Sequence, residues 1–137
     1  MMKEQLVAAA FWVALAWTSG ATANSNSFSK TVPPGKPTRV AAYHSWDPTT
    51  CASLSATMNV QANPKHGTLV PHVTTTTIRT TRIGTGGVGQ CYGHAIKALQ
   101  IDYKPAPGYR GPDSFIIEVI FGYTERRDTD TYNITVE

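Results

Sequence analysis

The sequence predicts an all-β protein, an antiparallel sandwich of about seven strands closed by one disulfide. Three observations carry this. Short segments of alternating apolar and polar residues recur about every ten positions, separated by Pro, Gly and Asn. No segment beyond the N-terminal leader has the i, i+3, i+4 apolar spacing of a long amphipathic helix. Two cysteines, Cys51 and Cys91, stand in a chain that opens like an exported protein.

The strand candidates are Thr38–Tyr43, Ser53–Val60, Gly67–Val73, Thr74–Ile83, Ala95–Tyr103, Ser114–Phe121 and Thr131–Val136. Successive side chains in a strand point to opposite faces. Leu99, Ile101 and Tyr103 therefore share one face, with Gln100 and Asp102 on the other. Phe115, Ile117, Val119 and Phe121 share a face; Ile116 and Ile120 lie opposite with Glu118, so that strand is expected to be covered on both sides. Tyr132, Ile134 and Val136 point inward, Asn133 and Thr135 outward. The run Thr74–Thr81 is mostly threonine, a β-branched residue suited to a solvated strand face. It lacks the prolines of a glycosylated stalk.

The first 23 residues read as a secretory signal peptide. Lys3 gives a basic start, Leu6–Trp17 is an unbroken apolar run, and Ala21-Thr22-Ala23 is a small-x-small cleavage site. The run is shorter than the ~20 residues a bilayer span needs. No later stretch is apolar enough to span, so the processed chain is expected to be secreted or periplasmic and free of the membrane. Residues 24–37, NSNSFSKTVPPGKP, are polar with three prolines and read as a flexible lead-in or an edge segment. Residues 38–137 make up the sandwich domain.

Export exposes Cys51 and Cys91 to an oxidising compartment, where a disulfide is the default. Closing so long a loop restricts the unfolded chain by roughly 4 kcal/mol. The competing reading, a pair of metal-binding thiolates, lacks C-x-x-C spacing. The formal net charge is +3. The basic residues are scattered, and only Arg126 and Arg127 adjoin, flanked by acids. A nucleic-acid binder would gather its charge on one face, so no nucleic-acid partner is expected.

Gly84-Thr85-Gly86-Gly87-Val88-Gly89 fits G-x-G-x-x-G, and Asp102 stands near the spacing of a ribose-binding acid. A dinucleotide loop needs a buried apolar strand before it and a helix after it. Here threonines and arginines precede it, and a cysteine and a glycine follow. The stretch reads as a hairpin loop tethered by Cys91, and no cofactor is expected.

The second half carries a denser pattern. Asn63-Pro64-Lys65-His66-Gly67-Thr68-Leu69 is followed by YKPAPGYRGPDSFIIEV, Tyr103–Val119, and by the closing DTYNITVE. This resembles the cadherin-like, immunoglobulin-fold tandem domains of bacterial surface and secreted proteins. The matches are Pro64, Gly67 and Thr68, then Tyr103, Pro105, Tyr109, Gly111, Asp113, Ser114, Phe115 and Val119. The resemblance implies an immunoglobulin-like sandwich.

The block also has a physical reading of its own. Pro105 and Pro107 stop a strand, Gly108 and Gly111 permit a turn, Tyr109 tucks its ring under the loop, and Asp113 accepts backbone N–H groups where Phe115's strand begins. These are structural roles. Two features depart from the family pattern. The aspartate-rich calcium stretch of many members is replaced by His44-Ser45-Trp46-Asp47-Pro48, with one acid where calcium wants six or more oxygens. An insertion, roughly Pro71–His94, holds the threonines and the glycine loop. Loops on a rigid scaffold often carry binding, so a protein or glycan ligand is expected there.

Other constellations are sparse. His44, His66, His72 and His94 lack H-x-H or H-x-x-x-H spacing, but a sandwich gathers distant strands. A small periplasmic copper or zinc protein is therefore the alternative reading. Tyr43, Trp46, Tyr92 and Tyr123 are candidates for an aromatic platform, against core filling or isolated surface positions. Asn133-Ile134-Thr135 is a glycosylation sequon inside a predicted strand. No G-x-S-x-G is present and no paired carboxylates stand out, so a non-catalytic module is expected, a small hydrolase or enzyme inhibitor being a weaker reading.

Overall fold

The computed structural model describes residues 23–79, 82–83 and 87–137. The signal-peptide segment falls almost wholly outside these residues, as do Thr80, Thr81 and the start of the glycine loop, Gly84–Gly86. Ten strands follow in chain order: β1 Ala23–Val32, β2 Thr38–Trp46, β3 Ser53–Leu54, β4 Ala56–Ala62, β5 Gly67–Thr77, β6 Arg82–Ile83, β7 Gly87–Val88, β8 Ala95–Pro105, β9 Gly111–Phe121 and β10 Arg127–Val136. Among the described residues there is no helix.

Two four-stranded sheets form a sandwich, one in the order β1-β10-β9-β4 and the other in the order β3-β2-β8-β5; β6 and β7 pair as a separate hairpin. The chain crosses between the sheets at β1–β2, β3–β4, β4–β5 and β8–β9, as in an immunoglobulin-like fold. The expected all-β sandwich with one disulfide is therefore present. One pairing is not antiparallel: β1 runs parallel to β10, from Ala23 beside Arg127 to Val32 beside Val136. Within residues 24–37, expected as a flexible lead-in or an edge segment, the stretch up to Val32 forms an edge strand and 33–37 turn into β2. The edge strand's backbone partner is the final strand, a long-range pairing with little local signal.

Several strand boundaries also differ from expectation. Gly67–Val73 and the first four residues of Thr74–Ile83 join into the single β5, because β8 is long enough to pair with it in unbroken register from Gly67–Pro105 to Thr77–Ala95, whereas Arg82–Ile83 falls in β6. Ser53–Val60 is interrupted at Ser55, with β3 pairing with β2 in one sheet and β4 with β9 in the other. β10 begins at Arg127, ahead of the expected Thr131.

The core lies between the sheets. Ile101, Tyr103, Phe115, Ile117 and Val119 are wholly buried, with Val32, Tyr132, Ile134 and Val136 around them. Each isoleucine or valine removed from water contributes about 2 kcal/mol. Ile116, Glu118 and Ile120 on the other face of β9 are half-buried. At the far end of β5 and β8, Val73, Thr75, Thr77 and Lys97 are exposed, although their parity places them on the inner face with Ile101. The first sheet does not cover this end.

Candidate functional site

A second, smaller core sits on the outer face of the β2–β8–β5 sheet. Ile96 has the opposite parity to Ile101 and Tyr103, yet it is 2 % exposed. It packs with Ile78 and Cys91, both buried, and with Trp46 and Cys51. The Cys51–Cys91 disulfide forms, with its Cα atoms 5.3 Å apart, inside the normal range.

Local sequence builds both sides of this junction. After β2, Asp47 accepts backbone N–H groups from Thr49 at 2.7 Å and Thr50 at 3.1 Å through Oδ1. Cys51 N donates to the Asp47 carbonyl at 2.8 Å, and Cys51 takes a left-handed backbone with φ 61°. This tight Asp-Pro turn aims the thiol at the partner segment. On the other side, Gln90 Nε2 donates to the carbonyls of Pro48 at 2.7 Å and Thr49 at 3.1 Å. Ile78 N donates to His94 O at 2.9 Å, and Gly93 N donates to Ile78 O at 2.8 Å. Ile78 and the Gln90–His94 turn thus form two feet, drawn together and bonded to the end of β2. Tyr92, beside one foot, is 56 % exposed.

The four histidines do not converge. His44 stacks on Trp46 with ring centroids 5.8 Å apart, and burial lowers its pKa. His66 stacks on Tyr109 at 4.1 Å in the β4–β5 turn. His72 lies on exposed β5 with Nε2 3.9 Å from Asp102. His94 belongs to the foot described above. Among the described residues no three His, Cys, Asp or Glu side chains are grouped to hold a metal ion. The aromatic set is dispersed too: Trp46 is in the small core, Tyr43 lies between the sheets, and Tyr92 and Tyr123 stand on the surface. Asn133 of the sequon is exposed in the middle of β10, and its Nδ2 donates to Ser27 Oγ on β1.

The Tyr103–Phe115 block forms a polar corner. Asp113 accepts from Tyr103 Oη at 2.7 Å and from the backbone N–H groups of Lys65, His66 and Ser114 at 2.9, 3.0 and 2.9 Å. Burial by itself pushes the Asp113 pKa up; these four donors outweigh it, and the net shift is downward. Tyr109 donates its hydroxyl proton to the Pro112 carbonyl. Pro105 is fully buried, Gly111 has φ 129°, and Phe115 sits in the main core. The Asp113 carboxylate and the Tyr103 and Tyr109 hydroxyls are all engaged in bonds that hold the chain geometry.

A buried network between the sheets was missed by the sequence reading. Asp130 is 2 % exposed and accepts from Asn26 Nδ2 at 2.7 Å and Tyr43 Oη at 2.5 Å. Tyr43 and Tyr132 hydroxyls are 2.6 Å apart. Because the Tyr43 proton goes to Asp130, Tyr132 is the donor to Tyr43. Burial, then the bonds to Asp130 and Tyr132, raise the Tyr43 pKa, and burial raises that of Tyr132. Nearby, Arg126 Nη2 pairs with buried Asp128 at 2.8 Å while its guanidinium lies 4.6 Å from the Phe121 ring centroid. The signal was available: in DTDTYNITV, Asp128 and Asp130 share the parity of Tyr132, Ile134 and Val136.

Fold and site together define an immunoglobulin-like sandwich with a disulfide-anchored loop on one sheet face. The chain matches no protein-family model, no curated protein and no solved structure.

Proposed function

We propose that this chain is an exported, non-catalytic immunoglobulin-like module, a single divergent relative of the bacterial cadherin-like domains, and that the segment Pro71–His94 meets its ligand. The observation that carries the reading is the double anchoring of that segment. Its feet are fixed by a disulfide, by Gln90, by the Ile78–His94 bonds and by a core of their own. A loop with rigid feet loses less entropy on binding than a loosely attached one.

The absence of catalysis is inferred from how the acids are used. Asp113 and Asp130 have both carboxylate oxygens engaged in structural bonds, and Asp128 is paired with Arg126. The disulfide suits an oxidising compartment, and the leader supplies the route to it.

The test is affinity capture from the exported fraction of the native host. Wild-type protein is compared with a variant whose residues 79–89 are replaced by a Gly-Ser linker, keeping Ile78, Gln90 and Cys91. Loss of the captured protein or glycan in the variant supports the reading. Capture of the same ligand by both forms removes the segment from the binding function.

A further inference from the structure

We propose that β5 pairs edge to edge with β5 of a second copy of this chain, so that two sandwiches share one continuous eight-stranded sheet. The proposal does not rest on the ligand-binding role of the 71–94 segment, since it uses only the outer backbone edge of β5.

Four edge strands bound the sandwich: β1, β4, β3 and β5. An open edge presents unpaired N–H and C=O groups, and proteins normally blunt it. β1 carries Lys30, β3 has two residues, and β4 has a register shift between Val60 and Ala62. β5 differs. It is 11 residues long, holds no charged side chain, and pairs only with β8 among the described residues. Its one blunting device is Pro71.

Pro71 also fixes the geometry of that edge. Proline has no N–H, and the β5–β8 register runs through it without a break. Position 71 therefore faces away from β8. Strand backbone groups alternate in direction, so Val73, Thr75 and Thr77 also direct their N–H and C=O outward. In an antiparallel two-fold centred on Thr75, Thr75 lies opposite its own copy and Val73 opposite Thr77 of the second copy. Each such pair exchanges two bonds, roughly six in all. In this register Pro71 falls opposite position 79, beyond the strand end at Thr77, and costs no bond. The side chains match as well, with Thr74 opposite Thr76 of the second copy; cross-strand threonine pairs are favourable.

Charge sets the conditions for this pairing. The copies each carry +3, and Lys97, opposite Thr75, reaches Thr75 Oγ1 with its Nζ at 3.4 Å. The two ammonium groups therefore approach the axis to within the screening length of ~8 Å at physiological salt, so added salt should strengthen the association, while the backbone edge itself carries no charge. A neutral, self-complementary edge fits a copy of itself better than a charged peptide.

The test is sedimentation equilibrium of the purified, oxidised protein, with hydrogen exchange at low and high concentration. The expected result is a monomer–dimer equilibrium with a dissociation constant on the order of 100 µM, fitting a small edge interface. Amides of Val73, Thr75 and Thr77 gain protection as concentration rises. Thr75→Pro removes an outward N–H and no bond to β8. Thr75→Asp sets like charges opposite each other at the axis. Each variant is expected to keep the wild-type circular dichroism and weaken dimerisation tenfold or more. Asn59→Lys on β4 is expected to leave it unchanged. A monomer at all concentrations, wild-type dimerisation in both Thr75 variants, dimerisation lost in Asn59→Lys, or no concentration-dependent protection at these three amides would each overturn the proposal.

Discussion

Tyr43, on the second strand, donates its hydroxyl proton to the carboxylate of Asp130, 87 positions further along, across 2.5 Å. This bond joins the two sheets. Through Asn26, which donates to the same carboxylate, it also holds the N-terminal strand, most of whose residues are exposed. Beyond its backbone pairing with β10, the parallel β1 is thus secured by a buried polar anchor at Asn26, by the Asn133–Ser27 bond, by the Phe28–Tyr132 stack at 5.0 Å and by Val32.

Removing the acceptor should be costly. In Asp130→Ala, Asn26 loses its acceptor and Tyr43 can turn only to the Tyr132 hydroxyl, leaving a buried donor unmet, at about 3 kcal/mol. At about 4 °C per kcal/mol for a chain of this size, the melting temperature should fall by about 12 °C. Tyr43→Phe leaves Asp130 with Asn26 and should cost about half as much. Thermal melts of both, and of the double variant, check this; the two effects should not add, because the residues share one network.

Stability should fall at both pH extremes, for different groups. The Asp113 pKa is lower in the folded chain, by its four donors working against burial. Its contribution is complete above the unfolded value near 4 and is lost as pH falls through the folded value. The pKa values of Tyr43 and Tyr103 are raised, in each case first by burial and then by a bond to an aspartate. Their contribution is complete below about 10, the unfolded tyrosine value, and is lost as pH rises beyond it. Melting temperature against pH should show a plateau between these limits. Asp113→Asn should flatten the acid limb, and Tyr43→Phe the alkaline one.

Gly67 should not accept a side chain. A Cβ there would lie 2.6 Å from the Tyr103 ring and 2.7 Å from the Lys104 carbonyl. Gly67→Ala should destabilise by about 2 kcal/mol, as overpacking does. In a Tyr103→Leu background the added cost should be smaller, since part of the obstructing ring is gone. Chemical denaturation of the four proteins measures the difference.

The sequence carried the sandwich because alternation is local: Phe115, Ile117 and Val119, or Tyr132, Ile134 and Val136, announce their face without reference to any partner. It carried the cysteine pairing through compartment. It did not carry the position of that disulfide. Ile96 breaks the alternation of Ile101 and Tyr103, and only its packing with Ile78 and Cys91 over the outer face accounts for it. The shared parity of Asp128 and Asp130 with Tyr132 was legible, but their burial was not, because an acid on an apolar parity reads as a strand end. Asp130 becomes tolerable inside only through Asn26 and Tyr43, residues from two remote strands. The parallel pairing of β1 was hidden for the same reason: its polar residues find their partners in β10.

The central claim is that the disulfide fixes a separately cored loop base on a sandwich that stands without it. Hydrogen exchange on oxidised and reduced protein tests this. Reduction should abolish protection at the amides of Cys51, Ile78 and Gly93, while β9 and β10 keep protection reduced by no more than the ~4 kcal/mol that the cross-link contributes through the unfolded chain. Equal loss of protection across β9 and β10, or unchanged protection at Ile78 and Gly93, would contradict it.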